Sequence, residues 1–179
     1  DTENIKIKIL DNNNDGSFDI AFVDVIEYAV VSRILNTDRK IYDKYTSGGM
    51  IDLSDTDIKI NVYLPDGTLG EFEDINEEAV IGIVMSEDGL LCTINLYDKF
   101  VKGIVSGQNG NKVQIGDGEY VLSSYYRSYN ETLDFANECV YFLGENNIIV
   151  DVLKESSQAL YGYWHTKSIF RIQSVCKNL

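Results

Sequence analysis

One histidine, one proline and three cysteines are all that 179 residues supply of those types, and each scarcity closes off a chemistry. Any Ser-His-Asp or Cys-His mechanism would have to pass through His165. That residue sits in the aromatic stretch 161–166 with no glycine elbow or cysteine motif beside it, so it reads as noncatalytic. Cys92, Cys139 and Cys176 are odd in number and widely spaced, which fits neither a disulfide framework nor a zinc site, and small buried hydrophobes are the expectation. Cations are scarce too: 15 Lys and Arg stand against 29 Asp and Glu, for a formal charge of −14. Nucleic acid is excluded as a partner, because phosphate neutralisation needs clustered cations. No apolar run approaches the roughly 18 residues of a membrane-spanning helix. The chain begins with Asp1 rather than Met, the expected mark of a processed product or of an excerpt from something longer.

What remains is ordinary globular material, 44% hydrophobic and 25% charged, so a real core can form. The acidity is uneven. Residues 1–99 hold 21 acids and 8 bases, residues 100–179 hold 8 and 7, and beyond Glu155 come Lys167, Arg171 and Lys177 with no carboxylate. These shifts place boundaries near 99–103 and near Ser156.

Period-two alternation of β-branched and aromatic residues dominates, the signature of half-buried strands. Ile5, Ile7 and Ile9 alternate with Lys6 and Lys8. Residues 20–35 are too long for one flat strand and should break near Glu27. Further strands are expected at 58–64, 80–85, 90–96, 101–106, 112–115, 119–122, 140–143 and 148–153. Asp66-Gly67, Asp88-Gly89, Asn109-Gly110 and Asp117-Gly118 supply turn chemistry between them, and Pro65 falls at one such turn. A two-turn helix is expected over 130–137, capped by Asn130, with Leu133, Ala136 and Val140 on one face. The segments Val80-Ile81-Gly82-Ile83-Val84 and Val101-Lys102-Gly103-Ile104-Val105 echo each other, with a glycine where a strand bends or bulges. The expected fold is all-β: two small antiparallel β-barrel or β-sandwich-like domains, 1–100 and 101–179, the second with a basic C-terminal extension.

The sharpest motif is Asp11-Asn12-Asn13-Asn14-Asp15-Gly16-Ser17-Phe18-Asp19. Side-chain oxygens recur at Asp11, Asn13 and Asp15, and Gly16 follows where a calcium loop turns back. Hard cations such as Ca²⁺ take six to eight oxygens at about 2.3–2.6 Å, which this spacing can gather from one short loop. Ser17 offers a backbone carbonyl, and Asp19 closes the loop directly or through water. The twelfth loop position, where an EF-hand has a bidentate Glu, is Phe22, and the flanks read as strands. Asp24 is the nearest spare carboxylate. The bland alternative is a polar hairpin turn.

From this motif onward the sequence resembles large secreted proteins of Gram-positive bacteria that carry S-layer homology domains. Residues 9–23 resemble their hydrophobic–D-N-D-G-D-G-K-x-D-Y–hydrophobic segment. Val101-Lys102-Gly103-Ile104-Val105, leading to Ile115-Gly116-Asp117-Gly118-Glu119-Tyr120, resembles their V-x-G-x-V … I-x-G-x-x-Y segment. Residues 140–150 resemble their x-Y-x-L-D-x-x-G-x-I-V ending, with Gly144 in place of Asp and Asn147 in place of Gly. The resemblance implies a noncatalytic, extracellular, β-rich region of a cell-surface protein in the cell wall, with other surface proteins as partners.

Two other classes compete. Tyr125, Tyr126, Tyr129, Tyr161, Tyr163 and Trp164 can form a platform for cell-wall or other extracellular glycan, or serve as ordinary sheet residues. The densest acids, Glu71, Glu73, Asp74, Glu77 and Glu78, can hold a glycosidase pair or form a solvated face.

Overall fold

The computed structural model describes residues 4–130 and 132–154. His165, Cys176, Tyr161, Tyr163, Trp164 and the basic extension lie outside the described residues. The fold is all-β. Its strands are β1 (Ile5–Leu10), β2 (Ile20–Val25), β3 (Glu27–Leu35), β4 (Lys40–Asp43), β5 (Met50–Asp52), β6 (Lys59–Tyr63), β7 (Leu69–Gly70), β8 (Val80–Met85) and β9 (Leu91–Tyr97). They continue as β10 (Phe100–Gly103), β11 (Val105–Asn109), β12 (Lys112–Ile115), β13 (Gly118–Leu122), β14 (Cys139–Leu143) and β15 (Ile148–Lys154), with one short helix, α1 (Ser124–Tyr129).

Among the described residues these strands form three sheets. β1 and β2 pair only with each other, a seven-stranded sheet runs β5-β4-β3-β8-β9-β6-β7, and a six-stranded sheet runs β10-β14-β15-β13-β12-β11. The chain passes from one large sheet to the other between Tyr97 and Phe100. Pairing is antiparallel as expected except that each large sheet contains one parallel pair, β6 with β9 and β13 with β15. Both sheets are therefore mixed.

Packing explains the apolar run of β3. Ala29 and Val31 face the core of the seven-stranded sheet with Ile41, Leu53, Ile81 and Ile94. Tyr28 and Val30, on the opposite face, pack with Val80 against Ile148 and Val150 of β15. A strand buried on both faces has no polar side, which is why residues 28–31 do not alternate. The six-stranded sheet has its own core, built from Val113, Ile115, Leu122, Cys139, Tyr141 and Ile149 and closed by Tyr126 of α1. Cys92 and Cys139 are fully buried hydrophobes, as expected, and burial pushes the Cys92 thiol up to about 11.

Several sequence expectations shift. The break after β2 falls at Ile26, which is buried beside Tyr28. The strand expected at 101–106 is two, divided at Ile104. The helix is not at 130–137 but at Ser124–Tyr129, where the Ser123 hydroxyl accepts a hydrogen bond from the Tyr126 N–H at 2.9 Å. Asn130 caps the other end, its N–H donating to the Tyr126 carbonyl at 3.0 Å. The turn before β13 uses Gly116 (φ 56°) for its left-handed residue, not Gly118. Asn147, standing where the resembled segment has glycine, adopts φ 59°, a conformation asparagine tolerates better than other side-chain-bearing residues.

Gly82 does not mark a bend. β8 pairs in unbroken register with both β3 and β9, and a Cβ at Gly82 would lie 2.8 Å from Ile26 Cγ2 and 3.0 Å from the Tyr97 ring. The glycine makes room for the layer between the sheets. Gly82→Ala is expected to cost about 1–3 kcal/mol through overpacking, measured by urea unfolding. An unchanged midpoint would mean that this layer is loose.

Candidate functional site

The register Leu10↔Ile20 leaves nine residues at the tip of the β1–β2 ribbon, and the Asp19 N–H closes them by donating to the Leu10 carbonyl at 2.9 Å. Asp11 organises the tip. Its Oδ1 accepts the N–H groups of Asn14 (2.6 Å) and Asp15 (3.3 Å), and its Oδ2 accepts that of Gly16 (2.8 Å). Wrapping the backbone round one carboxylate needs left-handed residues, supplied by Asn14 (φ 61°) and Gly16 (φ 87°). Asp15 accepts the Ser17 N–H (2.7 Å) and the Asn13 side-chain amide (3.0 Å), while Asn13 Oδ1 accepts the Asp15 N–H (3.0 Å). Asp19 accepts the Asn12 N–H at 2.8 Å.

The loop's N–H groups favour ionised carboxylates. Those of Gly16 first, then Asn14 and Asp15, hold Asp11 below the usual carboxylate range. The Ser17 N–H and then the Asn13 side chain do the same for Asp15. Asp11, Asn13, Asp15, Ser17 and Asp19 thus share one turn. Their carboxylates each face local N–H groups, and among the described residues no three His, Cys, Asp or Glu side chains form a metal-holding group.

Hard oxygen donors with negative charge nevertheless fit Ca²⁺ chemically. An ionised carboxylate accepts about four hydrogen bonds, so Asp15 and Asp19 keep free lone pairs while supporting the turn. Further help from the strands is ruled out by distance. Phe22 is half-exposed opposite Lys8 in β2, and Asp24 lies five residues beyond Asp19, about 17 Å along an extended strand. Any ion must be held by the tip's own oxygens, including the Ser17 carbonyl, and by water.

The tyrosine platform divides. Tyr126 is buried, and Tyr125 is spent inward, its hydroxyl donating to Asp43 and accepting from the Val30 N–H at 3.1 Å. Tyr129 is 45% exposed and stacks on Tyr45 with ring centroids 6.1 Å apart. The acidic cluster divides as well: Asp74 caps a short turn by accepting the Glu71 N–H at 2.8 Å, and Glu78 pairs with Lys44 at 3.3 Å.

A second polar centre was not foreseen. Asp151, 3% exposed in a β15 that is otherwise apolar up to its terminal Lys154, accepts from Lys44 Nζ at 3.1 Å, from the Tyr45 hydroxyl and from the Val152 N–H at 2.8 Å. Burial works against the charge of Lys44, but Asp151 and then Glu78 hold its pKa above the ordinary lysine value. Burial also raises Tyr45 and Tyr125, helped by Asp151 and Asp43 respectively. One signal was in the sequence: a lone acid inside Ile148–Lys154, at a position that a buried strand would fill with an aliphatic residue.

Compared with known proteins, the chain matches no family model, no curated protein and no solved structure.

Proposed function

We propose that the chain is a noncatalytic structural module of a secreted bacterial cell-surface protein, and that Ca²⁺ bound by Asp11, Asn13, Asp15, the Ser17 carbonyl and Asp19 stiffens its β1–β2 arm. The main support is the tip itself, where oxygen-bearing side chains at alternate positions surround a backbone already turned about Asp11. The resemblance to Gram-positive surface proteins points the same way.

The arm needs such support. Its two strands join neither large sheet, and a two-stranded ribbon is marginal in water. Three ties hold its base: Lys6 to Glu145 at 3.3 Å, the Ile26 N–H to the Asn4 carbonyl at 2.7 Å, and the Asn4 amide to Ser124 at 3.2 Å. An ion at the far end would reinforce the strand register that the Asp19 N–H and the Leu10 carbonyl set there. Affinity should be modest, a Kd of about 10⁻⁴–10⁻³ M, because the set lacks a bidentate Glu.

Binding to the formed loop alone contributes RT ln(1 + [Ca]/Kd), about 2.7 kcal/mol at a hundredfold excess. Since the arm can open without the sheets, the effect should appear locally. Calcium is expected to slow amide exchange in β1 and β2 by up to about a hundredfold at that excess, with EDTA reversing it. Asp15→Asn, which keeps an acceptor for Ser17 but removes charge, should abolish the protection. Unchanged exchange, together with no heat in a calcium titration, would end this reading.

A further inference from the structure

We propose that Lys44 Nζ and the side-chain carboxyl carbon of Asp151 condense to an amide, a self-made covalent tie between the loop after β4 and the last described strand, β15. The inference does not depend on calcium. It rests on four groups gathered at one point from distant parts of the chain. Lys44 Nζ lies 3.1 Å from Asp151 Oδ2, one bond from the carbon it would attack. Glu78 Oε2 lies 3.3 Å from the same nitrogen. The Tyr45 hydroxyl donates to the other carboxyl oxygen, Oδ1, where negative charge would collect.

The surroundings favour the product. Asp151 has a side chain 5% exposed and directly follows Val150, which packs in the layer that joins the sheets. As a buried anion, Asp151 carries a desolvation cost that a neutral amide does not. Reactants fixed in contact also need no encounter. Glu78 is held at φ 66°, a left-handed conformation unusual for glutamate, with its N–H bonded to the Val31 carbonyl at 2.6 Å. Strain of this kind persists where the surrounding structure fixes it, and the Glu78 carboxylate pairs with Lys44 at 3.3 Å.

The step balances without a co-reactant. The Lys44 ammonium passes one proton to Asp151 Oδ2, giving an amine and a carboxylic acid. The amine attacks Cγ, and Oδ1 takes the negative charge under the Tyr45 hydrogen bond. Glu78 then accepts a second proton from nitrogen and delivers it to the Oδ2 hydroxyl, which leaves as water. The carbonyl re-forms at Oδ1, one proton stays on the amide nitrogen, and Glu78 returns to its starting state.

Mass spectrometry of the denatured full chain tests this. After incubation folded at neutral pH, the wild type should weigh one water less than its sequence, and digestion should yield a branched peptide joining Lys44 to Asp151. Lys44→Arg keeps the ion pair but cannot condense, and should show the full sequence mass. Glu78→Gln, altering an exposed side chain, should condense far more slowly while remaining folded by circular dichroism. A wild type at full mass overturns the proposal. So does a deficit that survives Lys44→Arg, which would mark a succinimide at a site such as Asp117-Gly118. Condensation of Glu78→Gln at the wild-type rate overturns the proton route through Glu78.

Discussion

Cooperative alkaline unfolding is the expected behaviour of this protein above pH 10, because folding removes several phenols from water. Burial pushes Tyr28 and Tyr126 from 10.0 up to about 12, and it raises Tyr141 in the same direction. These three are the least exposed of the tyrosines with raised values, at 5%, 5% and 0%. A phenol whose folded pKa exceeds its unfolded one contributes fully below the unfolded value, and that contribution is lost as pH rises toward the folded one. The loss is about 1.4 kcal/mol per group for each pH unit, so three phenols remove about 4 kcal/mol one unit above pH 10. Against a total of about 5–15 kcal/mol for a typical domain, that is a large share. An uncondensed Lys44 adds to it with the same sign, since its raised pKa favours the fold only while it stays protonated. The last part of the tyrosinate absorbance, that of the buried rings, should therefore change together with far-UV circular dichroism between pH 10 and pH 12. Tyrosinate absorbance that reaches its full value while the fold persists would show that these rings are hydrated.

The same burial separates what was legible in the sequence from what was not. Strands such as β1, β8, β9 and β12 announce themselves because alternation or a short apolar run survives in any reading of the chain. β4, β5 and β7 were missed, being two to four residues long and flanked by polar turns, so no period can establish itself. The helix was displaced because Ser124–Tyr129 holds three tyrosines, which favour strands, and only the Ser123 cap and packing of Tyr126 make it helical. At the tip, the spacing of Asp11, Asn13 and Asp15 did locate one continuous turn, since every contact those three side chains make spans five residues or fewer. Asp43 with Tyr125 and Lys44 with Asp151 are 82 and 107 residues apart. Nothing local in either sequence neighbourhood names the other, so only the folded chain brings them into view.

That second centre carries the other large effect. Asp151→Ala removes a buried carboxylate from Lys44, Tyr45 and the Val152 N–H at once. Breaking a buried pair typically costs about 3–5 kcal/mol, and the lower end applies here because Lys44 is 29% exposed and retains Glu78. Tyr45 lies in the layer shared by Val30, Val80 and Val150, so the loss should loosen the junction of the two large sheets. With only the ion pair, urea unfolding of Asp151→Ala is expected to show a loss of about 3 kcal/mol, and one below 1 kcal/mol would mean the junction is held by its aliphatic residues alone. Lys44→Arg separates ion pair from amide. With only an ion pair, arginine replaces lysine at little cost. With a cross-link, both variants also lose a loop closure spanning 107 residues, which the chain-entropy estimate puts at about 4.7 kcal/mol for a 100-residue loop. A large loss in Lys44→Arg, exceeded by that in Asp151→Ala, is then the thermodynamic counterpart of the missing water.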